Sequence, residues 1–516
     1  MAVYLTRSMH EALKQTPDGV ATICGDRTRT WRESADRIAR LAGALKALGV
    51  AEGDRVGILS LNSDRYHEFM LAVWWAGAVV NPVNTRWSAK EIAYSLEDSG
   101  THVLFADDEF VPLVPRLREE WEGVTTLVHC GDGPAPEGML SYEELLAAHA
   151  PVEDTRTGGD RLAGVFYTGG TTGFPKGVML THDNIVSHHT VLVSTGLTTP
   201  GGTTLTATPM FHLAGVAPWN LQSMVGGTQV FVPSFEPVAV MEAIARHGCT
   251  TVMLVPAMVQ MIVDHPKAGD YDLSSLKRLF YGAAPISEAL LERAMRVLPK
   301  AGFVQGYGMT ELSPVASLLD PDDHRNPALL RSAGRVIPGV QVRIADPADQ
   351  DVPVGSVGEI VVRSSGAMRG YWGRPEETAA ALRDGWMHTG DAGWMDENGY
   401  LYLVDRIKDM IVTGAENVYS AEVENAVATH PAVESCAVIG VPDRQWGERV
   451  HAVIVLKPGH TATEAEIREH CKTLIAGYKA PRTCEFVEIL PMTATGKISK
   501  KDLRAPYWED QARSVS

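Results

Sequence analysis

The amino-acid sequence predicts an α/β protein of at least two domains. Three observations lead there. Helical apolar periods alternate with short apolar strands through the first part of the chain, an alternating apolar–polar texture replaces them after about residue 332, and a tail of about 110 residues carries strand and helix signals of its own. At 516 residues the chain also exceeds the roughly 250–300 at which one core stops growing.

The elements follow in order. TWRESADRIARLAGALKALGV (30–50) places Ile38, Leu41, Leu45 and Leu48 at helical spacing and stops at Gly49. The buried strand RVGILSL (55–61) comes next. MLAVWWAGAVV, Met70 to Val80, reads as a buried helix, because it is shorter than the roughly 20 apolar residues that span a bilayer. HVLFA (102–106), TTLVHC (125–130) and TTVMLVP (250–256) are further strands, the last followed by a helix around Val259 to Asp264. Such alternation favours parallel sheets. GVQVRIADPADQDVPVGSVGEIVVRSSG (339–366) then suggests antiparallel strands or a small barrel within the large domain. GYLYLVDRIKDMIV (399–412) leads into an α+β tail: a helix from Ser420, the strands ESCAVIGV and RVHAVIVL, and a helix opened by Thr463, with Glu466 completing a capping box. The expected boundary separates 1–405 from 406–516, with a hinge near Asp405 to Lys408.

Composition removes several classes of function. Apolar residues make up 45% and charged residues 21%, which a disordered chain does not show. Lys plus Arg number 46 against 63 Asp plus Glu, a formal charge of −17, so a broad nucleic-acid or anionic-membrane surface is not expected. Cysteines 24, 130, 249, 436, 471 and 484 form no CxxC pair and no metal-ligand spacing with histidine; they read as reduced thiols of a cytoplasmic protein. The first residues lack the apolar core of a signal peptide, and no integral membrane segment is expected.

YTGGTTGFPKG, Tyr167 to Gly177, holds the hydroxyls, bare amides and cation that grip polyphosphate. Its spacing departs from the Walker loop, since Pro175 precedes Lys176 and Gly177 follows it. Alone it is equally a flexible Gly/Thr turn. Six further stretches accompany it: PMFHLAG (209–215), YGAAP (281–285), QGYGMTE (305–311), HTGD (388–391), DRIKDMIVTGAENVYSAEVE (405–424) and PMTATGK (491–497). Their order and spacing resemble the adenylate-forming superfamily of acyl- and aryl-CoA synthetases, peptide-synthetase adenylation domains and beetle luciferases, over roughly residues 10–505.

The resemblance implies a large N-terminal domain of two parallel-sheet α/β subdomains plus a small antiparallel barrel, and a smaller, mobile α+β C-terminal domain. It assigns Thr168, Gly169, Gly170, Thr171, Thr172 and Lys176 to the ATP phosphates. Gly282, Ala283, Ala284, Gly308 and Met309 line the nucleotide, Tyr307 stacks on adenine, Thr310 meets the α-phosphate, and Glu311 with Thr168 holds Mg²⁺. Asp391 takes the ribose hydroxyls, with Arg406 beside it; Lys408 is the hinge residue; Lys497 is the catalytic cation, and His212 gates the acyl pocket. Gly414, Ala415 and Trp446 line the coenzyme A tunnel. The bland alternatives are a cap for Asp391, a core histidine for His212 and a solvated basic patch for Lys497, Lys500 and Lys501, the last two being left in that patch. Gly169 stands where the family often has serine, and Ala415 where it often has a second glycine.

The implied reaction is activation of a carboxylic acid by ATP to an acyl-adenylate, then transfer to coenzyme A. FHLAG lacks the aspartate that would meet an amino acid's ammonium, and the candidate acid-pocket residues Leu213, Ala214, Gly215, Gly282, Ala283, Gly306, Gly308 and Pro314 are apolar or small, so a fatty or aryl acid is expected. The alternatives are delivery to a carrier protein and an idle binding protein on the same scaffold. The sequence leaves the oligomeric state open, a homodimer included.

Overall fold

The computed structural model describes residues 3–168, 175–284, 286–413, 416–443, 445–492 and 498–512. The chain divides into two compact units, Met1–Val342 with Val362–Met387, and Arg343–Val361 with His388–Ser516.

Two α/β sheets build the first unit. The eight-stranded sheet runs, in spatial order, Gly370–Tyr371, Lys176–Thr181, Leu162–Thr168, Val79–Pro82, Arg55–Leu59, Val103–Ala106, Thr126–His129 and Leu140–Ser141. Its centre is parallel, whereas Leu162–Thr168 and Lys176–Thr181 form an antiparallel hairpin. The nine-stranded sheet runs from Arg335–Val336 through Val315–Leu319, Gly302–Gly308, Arg278–Gly282, Thr251–Leu254, Thr203–Thr206 and Thr228–Phe231 to Val20–Cys24 and Arg27–Thr30. Its central pairs are parallel too. Helices on the faces bury such strands on both sides, which is why they read as unbroken apolar runs.

Local signals set the helix ends. Trp31–Ala47 begins at the capping box of Thr30 and Glu33 and buries Ile38, Leu41 and Leu45. The run from Met70 to Val80 corrects the expectation of one helix. The helix is Asp64–Trp75, capped by Ser63; Gly77 then turns the chain at φ +83°, and Val79–Pro82 is a strand. Apolar period alone does not separate a buried helix from a buried strand, and the break lies at the glycine.

The expected barrel region is a five-stranded sheet, mainly in the second unit, ordered Val340–Ala345, Gly358–Ser364, Trp386–Met395, Leu382–Arg383, with Leu401–Arg406 also paired to Trp386–Met395. A second sheet follows in the order Glu416–Val418, Ile411–Thr413, Gly447–Leu456, Val433–Asp443, with Thr483–Phe486 parallel to Gly447–Leu456. Ser420–Ala428 and Glu464–Lys472 cover it, the latter opened by the Thr463–Glu466 box. Val423, Val427, Val438, Val450 and Ile467 form its core.

Lys500 corrects another expectation. It lies at the start of the helix Lys500–Ala512, with Nζ 2.8 Å from Glu424 Oε1, so it is an anchored cation rather than part of a solvated patch. Lys501 is exposed.

Candidate functional site

The strands on either side of the phosphate-loop candidate, Leu162–Thr168 and Lys176–Thr181, form an antiparallel pair. Thr168 and Lys176 are directly paired at its end, so a hydroxyl and a cation stand side by side where the loop begins and ends. Gly169, Gly170, Thr171 and Thr172 lie outside the described residues. The glycine after the lysine has a steric reason: a Cβ at Gly177 would come within 2.6 Å of Val165 Cγ1 and 3.0 Å of the Tyr167 ring. Lys176 forms an ion pair with Glu377, and its Nζ sits 5.2 Å from the centre of the Tyr371 ring.

Tyr371 joins this loop to QGYGMTE. Gly370–Tyr371 pairs with Met179 and Val178 on the lysine-bearing strand, and the Tyr371 hydroxyl donates to Glu311 Oε1 at 2.8 Å. Burial, and then the charge of Glu311, push that hydroxyl well above the ordinary tyrosine range, so it stays a neutral donor. Glu311 is only 6% exposed and belongs to the turn Thr310–Leu312, whose carbonyl at Glu311 accepts from the Met368 amide at 2.8 Å. Two carboxylates, one lysine and one tyrosine thus form a continuous chain. Neither Tyr371 nor Glu377 is singled out by the sequence reading. The signal present is the Tyr–Trp pair between Gly370 and Gly373, followed by the Pro375-opened helix that carries Glu377.

The strands Arg278–Gly282 and Gly302–Gly308 run parallel, with Gly282 opposite Gly306. A Cβ on Gly282 would lie 2.3 Å from the Gly306 carbonyl, and one on Gly308 1.9 Å from the Pro314 carbonyl. Backbone therefore meets backbone there, and no side chain fits at either position. Ala283 is exposed with φ +65°, Ala284 is half-buried, Tyr307 is buried, and Met309 and Thr310 are half-buried. His212 occupies the N-cap position of Leu213–Met224, its half-buried ring 4.3 Å from that of Phe211. His188 and His189 lie buried on His182–Ser194, held down by burial to about 4 and about 3, so both are neutral imidazoles; Asn220 Nδ2 is 2.7 Å from His189 Nδ1.

In the second unit, Asp391 and Arg406 are paired across adjacent strands. Arg406 Nε is 2.6 Å from Asp391 Oδ1, and Asp391 is 5% exposed. The turn before it is fixed by the Thr389 hydroxyl donating to the Ile360 carbonyl at 2.6 Å and the Gly390 amide donating to Glu359 at 3.0 Å. Lys408 falls in the turn Ile407–Asp409. Gly414, Ala415 and Lys497 lie outside the described residues. The strands flanking 414–415 pair Thr413 with Glu416, and Thr413 also pairs with Gly447, the neighbour of Trp446. Trp446 is 36% exposed, with the Arg482 guanidinium 4.7 Å from its ring centre.

Among the described residues no three His, Cys, Asp or Glu side chains gather as a metal cage, and no helix is long and apolar enough to cross a membrane. All six cysteines are unpaired, and burial pushes the thiols up, to about 12 for Cys249 and about 11 for Cys471.

Known proteins resemble this chain in sequence and fold. Residues 9–372 match the AMP-binding enzyme family and residues 422–497 its C-terminal domain. The chain is 41% identical to a feruloyl-CoA synthase of Amycolatopsis sp over 96% of its length and 97% of that protein. It is 38% identical to a fatty acid–(acyl-carrier-protein) ligase of Streptomyces coeruleorubidus, over 99% of its length and 97% of that protein. The crystal structure of the anthranilate CoA ligase AuaEII in complex with anthranoyl-AMP superimposes with a TM-score of 0.91 at 28% identity, covering 99% of this chain and 98% of that one. With a lysine-bearing hairpin tied through a tyrosine to a buried glutamate, and sequence matches spanning both units, the chain belongs to the AMP-binding enzyme family.

Proposed function

We infer that the chain is an AMP-forming acid:CoA ligase that activates an apolar carboxylic acid, fatty or aryl, and passes the acyl group to coenzyme A. The observation that carries this is the chain Lys176, Tyr371, Glu311: the cation faces the Tyr371 ring, and the hydroxyl of that ring donates to a buried carboxylate on the QGYGMTE segment. In the first step the acid's carboxylate oxygen attacks the α-phosphorus of ATP, the bond to the β-phosphate oxygen breaks, and pyrophosphate leaves. Thr168, Lys176 and the loop amides hold the β- and γ-phosphates, Thr310 meets the α-phosphate, and Lys497 offsets the charge that moves as the bond breaks. Asp391 accepts from the ribose hydroxyls, oriented by Arg406 at 2.6 Å. In the second step the coenzyme A thiol displaces AMP from the mixed anhydride, with Trp446, Gly414 and Ala415 beside the pantetheine arm. The residues after Asp405 turn about Lys408 between the two steps.

The donors suit Mg²⁺. Glu311 is a buried carboxylate with one oxygen already oriented by Tyr371, Thr168 adds a hydroxyl, and Mg²⁺ takes few protein oxygens when substrate phosphates supply the rest. Bound by Glu311 and Thr168, it would neutralise triphosphate charge. The apolar or small residues Leu213, Ala214, Gly215 and Pro314, with no aspartate in FHLAG, support an apolar acid. Six unpaired cysteines support a cytoplasmic setting.

A second reading, transfer to a carrier-protein thiol, is favoured by the 38% identity to the fatty acid–(acyl-carrier-protein) ligase. The deciding experiment is a panel of hydroxycinnamic, benzoic and medium- to long-chain fatty acids, scored by pyrophosphate release alone, with coenzyme A, and with a phosphopantetheinylated carrier protein. Pyrophosphate with no panel acid removes the ligase reading. Stimulation by the carrier but not by coenzyme A replaces the first acceptor with the second.

A further inference from the structure

The described residues on either side of 493–497 are tied to one another. Met492 and Ile498 form an antiparallel bridge, and the Ser499 amide donates to the Pro491 carbonyl at 2.8 Å. Ile498 and Leu503 pack against buried Ala437, Val453 and Leu490. The chain then enters the helix Lys500–Ala512, and its side chains run to the turn at 405–409.

Lys500 Nζ sits 2.8 Å from Glu424 Oε1 and donates to the Ser420 hydroxyl. That hydroxyl donates in turn to Asp405 Oδ2 at 2.6 Å, and the Ser420 amide donates to the same oxygen. One helical turn on, Arg504 donates to Asp409 Oδ1 at 2.7 Å and to the Asp409 carbonyl at 3.0 Å. Both ends of the 405–409 turn are therefore tied to one helix. Glu424 also accepts from the Val438 amide at 2.8 Å, which fixes it on the sheet; burial pushes its carboxyl up, and Lys500 partly offsets that. An isolated surface pair would hold little. Here the lysine is 18% exposed and shares its hydrogen bonds with a network, in which each bond orients the next.

We propose that Lys500 and Arg504 are positioning residues for adenylate formation: they hold the residues that follow Lys497 against the 405–409 turn. They touch no substrate and act through Lys497, so the proposal rests on the role given to Lys497 above. Lys500 begins three residues after Lys497, and one helix carries that flank, the Glu424 contact and the Asp409 contact.

The test uses the full chain and the panel acid with the highest wild-type rate. Adenylate formation is read by ATP–pyrophosphate exchange, and thioester formation is read separately from the synthetic acyl-adenylate of the same acid plus coenzyme A. Lys500→Met and Arg504→Ala lower the exchange kcat by about tenfold or more, with the ATP KM within about twofold and the second half-reaction within about twofold of wild type. Lys500→Arg restores at least about half of the exchange rate, because it keeps the charge and the donors. Lys500→Met combined with Glu424→Gln, which leaves no buried unpaired charge, shows the same selective loss. Equal loss in both half-reactions by that double variant, unchanged exchange, or no rescue by arginine overturns the proposal. Lys497→Ala separates the two ideas. If it loses exchange selectively while Lys500→Met does not, positioning fails and the role of Lys497 stands; if it shows no selective loss, both fail.

Discussion

Removing one oxygen atom at Tyr371 tests the link between the lysine loop and the glutamate segment. In Tyr371→Phe the ring that faces Lys176 Nζ at 5.2 Å remains, but the hydroxyl that donates to Glu311 Oε1 at 2.8 Å is gone. Glu311 is 6% exposed and Tyr371 9%, so water does not readily replace the lost donor. A hydrogen bond to a charged group contributes about 1.5–3 kcal/mol, and a buried acceptor left unpaired loses a similar amount. If that energy orients Glu311 toward metal and phosphate, adenylation kcat/KM falls by roughly 10- to 150-fold, at about 1.4 kcal/mol per factor of ten. The Mg²⁺ concentration for half-maximal rate rises as well. The assay is ATP–pyrophosphate exchange across a Mg²⁺ titration, with thermal unfolding as the control for folding. Exchange and Mg²⁺ dependence both within twofold of wild type, in a folded variant, would refute the role given to Tyr371.

Arg406→Ala removes the partner 2.6 Å from Asp391 and is expected to raise the ATP KM by roughly tenfold, about 1.4 kcal/mol of binding; an unchanged KM in steady-state kinetics counts against ribose recognition there. Gly177→Ala forces a Cβ to 2.6 Å from Val165, and overpacking of this kind lowers stability by about 1–3 kcal/mol, read by urea unfolding. Burial depresses His67, His182 and His188 to about 4 and His189 to about 3, from an ordinary 6.5. Their folded values are lowered, so the unfolded chain takes up protons first: stability is full above 6.5 and is lost as pH falls from there toward 4, and a flat urea midpoint over that window would contradict it. Arg37→Ala strips one partner, at 2.7 Å, from the fully buried Glu68, leaving Arg29 at 3.1 Å and the Tyr142 hydroxyl at 2.7 Å; the expected loss lies toward the lower end of about 3–5 kcal/mol. Burial already raises the Glu68 carboxyl, so the native state holds its proton more tightly than the unfolded chain, and stability drops as pH rises through that raised value. The Arg37→Ala deficit is therefore larger at pH 8 than at pH 5; the reverse order in urea unfolding would exclude this account.

Much of the fold is legible where a few adjacent residues carry the signal. Thr463 and Glu466 stand three apart and form the capping box they spell. Ile38, Leu41 and Leu45 at helical spacing are fully buried. HVLFA and TTLVHC are strands of the parallel sheet, in adjacent positions. The boundary inside MLAVWWAGAVV is lost because helix and strand are equally apolar when both are buried, so only the positive φ of Gly77 marks the change. Site candidates on contiguous motifs were found by the same means. The pairings of Thr168 with Lys176 and of Asp391 with Arg406 join residues eight and fifteen apart through strand register, which the motifs do not state.

By itself the sequence determined the class of fold, the family, and the polar groups proposed for ATP, because caps, glycines, apolar periods and short motifs act over a few neighbouring residues. Tertiary structure alone decided which distant groups hold them. Tyr371 reaches Glu311 across 60 residues and Lys500 reaches Ser420 across 80. A tyrosine in GYW or a lysine in SKK looks like any other until folding sets its partner within hydrogen-bond distance, and burial there strengthens the bond it makes.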